Sequence, residues 1–176
     1  MQYNYFLFGW EVILLHTSPL ETWCAKVLLL AQKESNSILP YIFFFSATTI
    51  LYEEEDYVVF NDYRPAAEFH ILIIPKKHYG CIQSLKKSDV KMIKEMAEIG
   101  YKLLEEKSTF SKDNELLEGF HWPIASVGHL HLHFIAPKQQ MNCFKKIEFN
   151  SWGFGSWQQA IDKLETMSDD DVSDEW

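Results

Sequence analysis

His129-Leu130-His131-Leu132-His133 sets three imidazoles at alternate positions of an apolar run that begins after Gly128 and closes at Phe134-Ile135-Ala136-Pro137. Alternation with period 2 predicts a β-strand over this run. Residues two apart on a strand project from the same face, so the three histidines line one side and Leu130, Leu132 and Phe134 the other. The leucine side suits a core. The histidine side has no packing use. Four of the seven histidines fall between positions 121 and 133. Neighbouring imidazoles disfavour one another's protonation, so at least one is expected to be neutral at pH 7 with a lone pair to offer. A neutral imidazole serves as nucleophile, base or metal ligand.

Further polar residues lie in apolar or turn contexts. His70 opens Phe69-His70-Ile71-Leu72-Ile73-Ile74, which Pro75-Lys76-Lys77-His78 ends. By type alone it is as readily a satisfied polar residue as a catalytic one. Asp62 sits in a proline-punctuated loop, Asn61 to Ala67, where a carboxylate can simply cap the turn. Phe60 and Tyr63 flank it. Ser126-Val127-Gly128 forms a turn just before His129, and the amides of such a turn can cradle a phosphate. His121 follows Gly119-Phe120.

Taken together, these segments resemble the histidine triad family of nucleotide-binding hydrolases. The likeness rests on His129 to His133, on the match in residues and spacing from Asp62 to His78, and on Gly119-Phe120-His121. Asn150-Ser151 and Ile161-Asp162-Lys163-Leu164 are most similar to the histidine triad nucleotide-binding protein 3 subfamily. The resemblance covers about residues 48–166.

What it implies is specific. The fold is α+β, a five-stranded antiparallel sheet with two main helices, paired as a homodimer. His131 attacks the α-phosphorus of a nucleotide joined to an amine and forms a nucleotidyl-histidine; water then releases the nucleoside monophosphate. The backbone carbonyl of His129 fixes the tautomer of His131. His133 and His70 sit near the non-bridging oxygens and the histidine relay, and the amides around Leu132 stabilise developing charge. Asp62 holds the ribose hydroxyls, as a carboxylate can accept two bonds from a diol. Phe60 and Tyr63 give the base an apolar wall. Ser126 contacts the α-phosphate, and His121 is a secondary candidate for the phosphate or leaving group. No metal or other cofactor is required. The expected activity is release of AMP from adenosine 5′-monophosphoramidates.

Three alternatives stand beside it. Removal of AMP from 5′-adenylated DNA, as in aprataxin, needs a basic surface or an added finger, and neither is visible. A zinc hydrolase would use the HxH pair as ligands. A nucleotide sensor would bind AMP through Asp62 and the triad but turn over slowly.

The elements that must position these residues are also legible. Thr49 to Tyr52 and Tyr57 to Phe60 predict a hairpin around the acidic turn Glu53-Glu54-Glu55-Asp56. The apolar run from Phe69 to Ile74, broken only by His70, predicts a strand buried on both faces. Ser88 to Lys107 predicts a helix: Val90, Ile93, Ala97, Gly100 and Leu104 recur at helical spacing, widened by Met92, Met96, Ile99 and Leu103. Lys94–Glu98 and Glu98–Lys102 are expected pairs on its wet side. Residues 107–117 read as a polar loop, and the stretch after Pro137 as a polar linker. Ser156 is expected to cap a helix carrying Trp157, Ala160, Ile161 and Leu164 on one face.

At 176 residues, with 47% hydrophobic and 15% aromatic content, the chain suits one domain with a substantial core. It is expected to divide into an atypical extension (1–45), the catalytic domain (46–166) and an acidic tail (167–176) that is solvated and disordered. A net charge of −9, from 16 basic and 25 acidic residues, argues against broad binding to nucleic acid or acidic lipid. The apolar stretches before residue 46 are too short or too interrupted to span a membrane. Cys24, Cys81 and Cys143 are widely spaced with no CxxC, which suggests reduced thiols inside a cell, in the cytoplasm or also the nucleus. Tyr41 and Phe44 stand where related proteins often carry a pair of cysteines, leaving a structural zinc without its thiolates.

Overall fold

The computed structural model describes residues 50–110, 115–123 and 127–167. The expected N-terminal extension, Ser126 and the acidic tail from Ser168 onward lie outside them.

Apolar alternation decides which way each strand faces. The expected hairpin forms from β1 (Ile50–Glu53) and β2 (Tyr57–Asn61), with Glu54 N–H donating to the Tyr57 carbonyl across an exposed acidic turn. β3 (Phe69–Pro75) is buried along its whole length, His70 included, as its apolar run predicts. β4 (Leu117–His121), β5 (Leu132–Ala136) and β6 (Phe154–Gly155) complete one sheet in the order β1-β2-β3-β5-β4-β6. Every neighbouring pair is antiparallel. The sheet thus has six strands rather than five, the sixth being a two-residue strand that pairs Phe154 with His121 and Gly155 with Phe120.

Among the described residues three α-helices accompany the sheet: α1 (Val90–Lys107), a short α2 (Cys143–Glu148) and α3 (Trp157–Thr166). Helix α1 buries Ile93, Met96, Ala97, Ile99, Gly100, Leu103 and Leu104, the face expected from its periodicity. Each such Ile or Leu contributes roughly 1.5–3 kcal/mol when removed from water. That face meets Ile71 and Ile73 of β3, Leu132 and Phe134 of β5, and Leu164 of α3 in one core. On the wet side Lys94 does not stay within its own helix. Its ammonium lies 3.7 Å from Glu165 on α3, and the pair four apart is Lys91–Glu95 at 3.3 Å. Helix α3 starts with a reciprocal cap: Gln159 N–H donates to Ser156 Oγ at 3.2 Å, and Ser156 N–H to Gln159 Oε1 at 2.9 Å.

The opposite face of the sheet carries two smaller apolar clusters. Val58, Phe60, Leu72 and Ile74 form one, over β2 and β3. Ala66, Ile135, Met141, Phe149 and Phe154 form the other, over β5 and β6. The histidines lie on this face. Among the described residues no helix is long and apolar enough to cross a membrane.

The histidine run departs from expectation at its start. The ladder begins at Leu132, not at His129, because β3 runs out of donors. Ile73 pairs with Leu132, and Pro75 has no N–H to continue. Leu130 N–H turns instead to the Tyr79 carbonyl at 2.7 Å. His129 and His131 therefore stand on an extended run-in held by the Pro75–Gly80 loop.

Candidate functional site

Antiparallel register brings histidines from three separate stretches together. Leu72 of β3 lies opposite His133 of β5, and His70 opposite Ile135, so His70 and His133 are diagonal neighbours on one face. On the other side Gly119 of β4 lies opposite His133. His121, two residues along β4, falls on that face beside the run-in. His133 is the hub: its ring centroid is 4.8 Å from His131, 5.0 Å from His121 and 5.3 Å from His70. Phe149 and Phe154 close over it at 5.3 and 5.9 Å.

Hydrogen bonds fix most of the tautomers. His131 Nδ1 is 2.7 Å from the His129 carbonyl, which can only accept, so Nδ1 carries the proton and Nε2 keeps its lone pair. His70 Nδ1 accepts from Ala66 N–H at 3.0 Å, which places the His70 proton on Nε2. That N–H has His133 Nδ1 at 3.0 Å and the Asp62 carboxylate at 3.5 Å. Neutral His133 then carries its own proton on Nε2, a buried atom with no hydrogen-bond partner among the described residues. The chain of groups ends in a donor that a bound oxygen can use. His129 is arranged otherwise: its Nε2–H donates to the Pro75 carbonyl at 2.9 Å, and its Nδ1 meets His78 Nδ1 at 2.9 Å. It contributes its backbone carbonyl to His131, while its ring anchors the run-in.

Asp62, His70 and His133 also place three ligand-type atoms within 4.8 Å of one another. With Nδ1 of His70 occupied by Ala66 and Nε2 protonated, His70 has no lone pair to give a metal. The donor set suits a proton-bearing chain rather than a cation.

Burial holds these rings neutral. His131 and His133 fall below the usual histidine range chiefly by desolvation, opposed for His131 by its bond to the His129 carbonyl and reinforced for His133 by the neighbouring imidazoles. Burial likewise lowers His70, against the pull of Asp62, and lowers His121 and His129. Below about pH 6.5 the unfolded chain takes up protons at these five positions while the folded protein resists them, so the unfolded state gains. Stability is full above that pH and is lost as pH falls through it. Thermal melts between pH 7.5 and 5 should show a falling midpoint, and a midpoint flat over that window would contradict neutral burial of the cluster.

The remaining sequence candidates separate by position. Asp62 is partly buried at the end of β2, with Oδ1 accepting from Arg64 N–H at 2.6 Å and Oδ2 facing His70. It is therefore both the turn cap and a site carboxylate. Phe60 is buried against Val58, Leu72 and Ile74 on the histidine face, whereas Tyr63 is 65% exposed. The Leu132 side chain points into the core, so only its backbone can serve the site. His121 donates Nδ1–H to the Gly153 carbonyl at 3.1 Å. Ser126 lies outside the described residues. Sequence reasoning gave no role to His78, although Pro75-Lys76-Lys77-His78 was in view. Nor did it find Phe149 and Phe154, which come from a stretch with no clear period.

Comparison with known proteins supplies the family. A family model described as "Scavenger mRNA decapping enzyme C-term binding" matches residues 45–148. The chain is 38% identical over 128 residues to a Xenopus tropicalis protein named adenosine 5′-monophosphoramidase HINT3, covering 68% of this chain and 80% of that one. It is 36% identical over 115 residues to the Mus musculus protein of the same name, covering 64% and 69%. In fold it is similar to the crystal structure of the aprataxin ortholog Hnt3 from Schizosaccharomyces pombe, with a TM-score of 0.51 at 18% identity over 68% of each chain.

Proposed function

Because this chain belongs to the histidine triad superfamily, we propose that it hydrolyses the P–N bond of adenosine 5′-monophosphoramidates and releases AMP. The observation that carries the reading is the 2.7 Å contact from His131 Nδ1 to the His129 carbonyl, which leaves Nε2 as a lone pair in a buried cluster. Its relatives named as monophosphoramidases give the reaction class.

The steps follow from the groups present. His131 Nε2 forms a bond to the α-phosphorus as the P–N bond breaks. The departing nitrogen takes up a proton from solvent and leaves as the amine. The His133 Nε2–H donates to a non-bridging oxygen, and the His70 N–H behind it supports the charge that builds there. Water then attacks the phosphorus from the vacated side, the N–P bond to His131 breaks, and the proton given to the amine is restored from that water. Two easier displacements replace one hard one.

The direct test is incubation with an adenosine phosphoramidate, with AMP release followed by chromatography and the nucleotidyl adduct trapped and mapped. An adduct on His131 supports the reading; turnover with no histidine adduct overturns it. Asp62 supplies the second test. A carboxylate holding the ribose diol contributes hydrogen bonds of the charged kind, so Asp62→Ala should raise KM roughly 10–100-fold. The same variant should show a much smaller defect on a substrate lacking both ribose hydroxyls, whereas an equal defect on the two would place Asp62 elsewhere.

A further inference from the structure

On the far side of His133 from Asp62 lies a cleft of about 320 Å³, within the range of small-molecule sites, roughly 300–1,000 Å³. Trp122, Pro123, Ile147 and Trp152 give it apolar walls, and His121 and Asn150 give it polar ones. Strand order separates the two sides. Asp62 and His70 come from the β2–β3 flank of β5, while His121 and the Trp152 turn come from the β4–β6 flank. His121 belongs to both places: it also borders a notch of about 10 Å³ shared with His131 and Leu130. With the nucleoside toward Asp62, the flank beyond His121 is open to the other large substituent on phosphorus.

The Trp152 turn is tied into position. Trp152 N–H donates to Asn150 Oδ1 at 2.8 Å and Gly153 N–H to the Asn150 carbonyl at 3.1 Å. The Gly153 carbonyl in turn accepts from Trp122 N–H at 3.2 Å and His121 Nδ1–H at 3.1 Å. Trp122 lies so close over Gly155 that a β-carbon there would strike its indole. Trp152, by contrast, is 79% exposed, an indole left in water at the mouth of the cleft, and Ile147 beside it is 68% exposed. Glu148, also in the cleft wall, has its charge met by Lys145 at 2.9 Å. The cleft is therefore an aromatic slot rather than a cation trap.

We propose that this cleft holds the leaving-group amine and selects amines bearing an aromatic side chain. The proposal rests on the phosphoramidase reading and adds its substrate class. Aromatic rings gain from stacking on indole beyond simple burial, and a matched apolar subsite separates substrates by about 10-fold or more.

The test compares adenosine phosphoramidates of 2-phenylethylamine and ethylamine, leaving groups of comparable basicity. The kcat/KM ratio should favour the phenylethyl substrate by about 10-fold or more, and in Trp152→Ala the ratio should fall to within about 2-fold. Trp152 is exposed, so its removal should leave the fold intact, which a thermal melt checks. A wild-type ratio near one, or a ratio that Trp152→Ala does not change, overturns the proposal. If neither substrate yields AMP, the phosphoramidase reading fails instead, and the cleft is judged by calorimetric binding of the two compounds, where equal affinities overturn it.

Discussion

His131→Ala should lose about 10³-fold or more in AMP release from an adenosine phosphoramidate, because removing a covalent nucleophile removes several kcal/mol of transition-state stabilisation. The expectation is sharper than for a generic buried histidine. His131 Nδ1 is committed to the His129 carbonyl, so a backbone acceptor holds its Nε2 as a lone pair beside the His133 N–H donor. The ring is 8% exposed and sits on the run-in before the β5 ladder, not within it. Its loss deletes one hydrogen bond, worth about 1 kcal/mol, and leaves every strand pairing intact. The melting midpoint should therefore move little while turnover collapses. Binding of AMP should survive, since Asp62 and the His70–His133 chain remain. Retained turnover would remove His131 from the chemistry, and lost AMP binding would show that its ring is structural.

The same contrast between backbone and side chain marks what the sequence reveals. Alternation at 129–133 set His131 and His133 side by side and Leu130, Leu132 and Phe134 in the core, where the structure has them. Helix α1 and strand β3 were legible because long apolar periods leave few alternatives. The limits have equally local causes. Strand β4 was hidden by Glu118 and Gly119, which break the apolar alternation at the centre of a five-residue strand. Helix α2 has six residues, too few for a helical period to show, and β6 has two. His129 could not be separated from its neighbours by spacing. That its ring turns to Pro75 and His78 depends on a loop 50 residues away in sequence, roughly a distance no local pattern spans. Phe154 reaches His133 because β6 closes on β4, and Phe149 packs against Phe154 at 5.1 Å, so the cover of the site depends in part on the least legible strand.

That dependence makes Gly119→Ala the second large effect. Gly119 lies on β4 between β5, where it faces His133, and β6. A β-carbon there would run into the Gly155 carbonyl and crowd the Phe154 ring at 3.0 Å. The first obstacle is backbone, so no rotamer change relieves it. β6 must move away, and overpacking of this kind costs about 1–3 kcal/mol or more. For a chain of this size that is a fall in melting midpoint of roughly 2–12 °C. The displacement also reaches the chemistry. Phe154 packs 5.2 Å from His121 and 5.9 Å from His133, so the hub would lose its cover and admit water. Water around His133 weakens the desolvation that keeps these rings neutral, and turnover should fall along with stability, the more so at pH 6 than at pH 8. Gly80→Ala is the matched control: a β-carbon there meets nothing within 4 Å, so its midpoint should stay within about 1–2 °C of the parent. Equal melting midpoints for the two variants would mean that β6 yields without cost, and the site would not depend on it for closure.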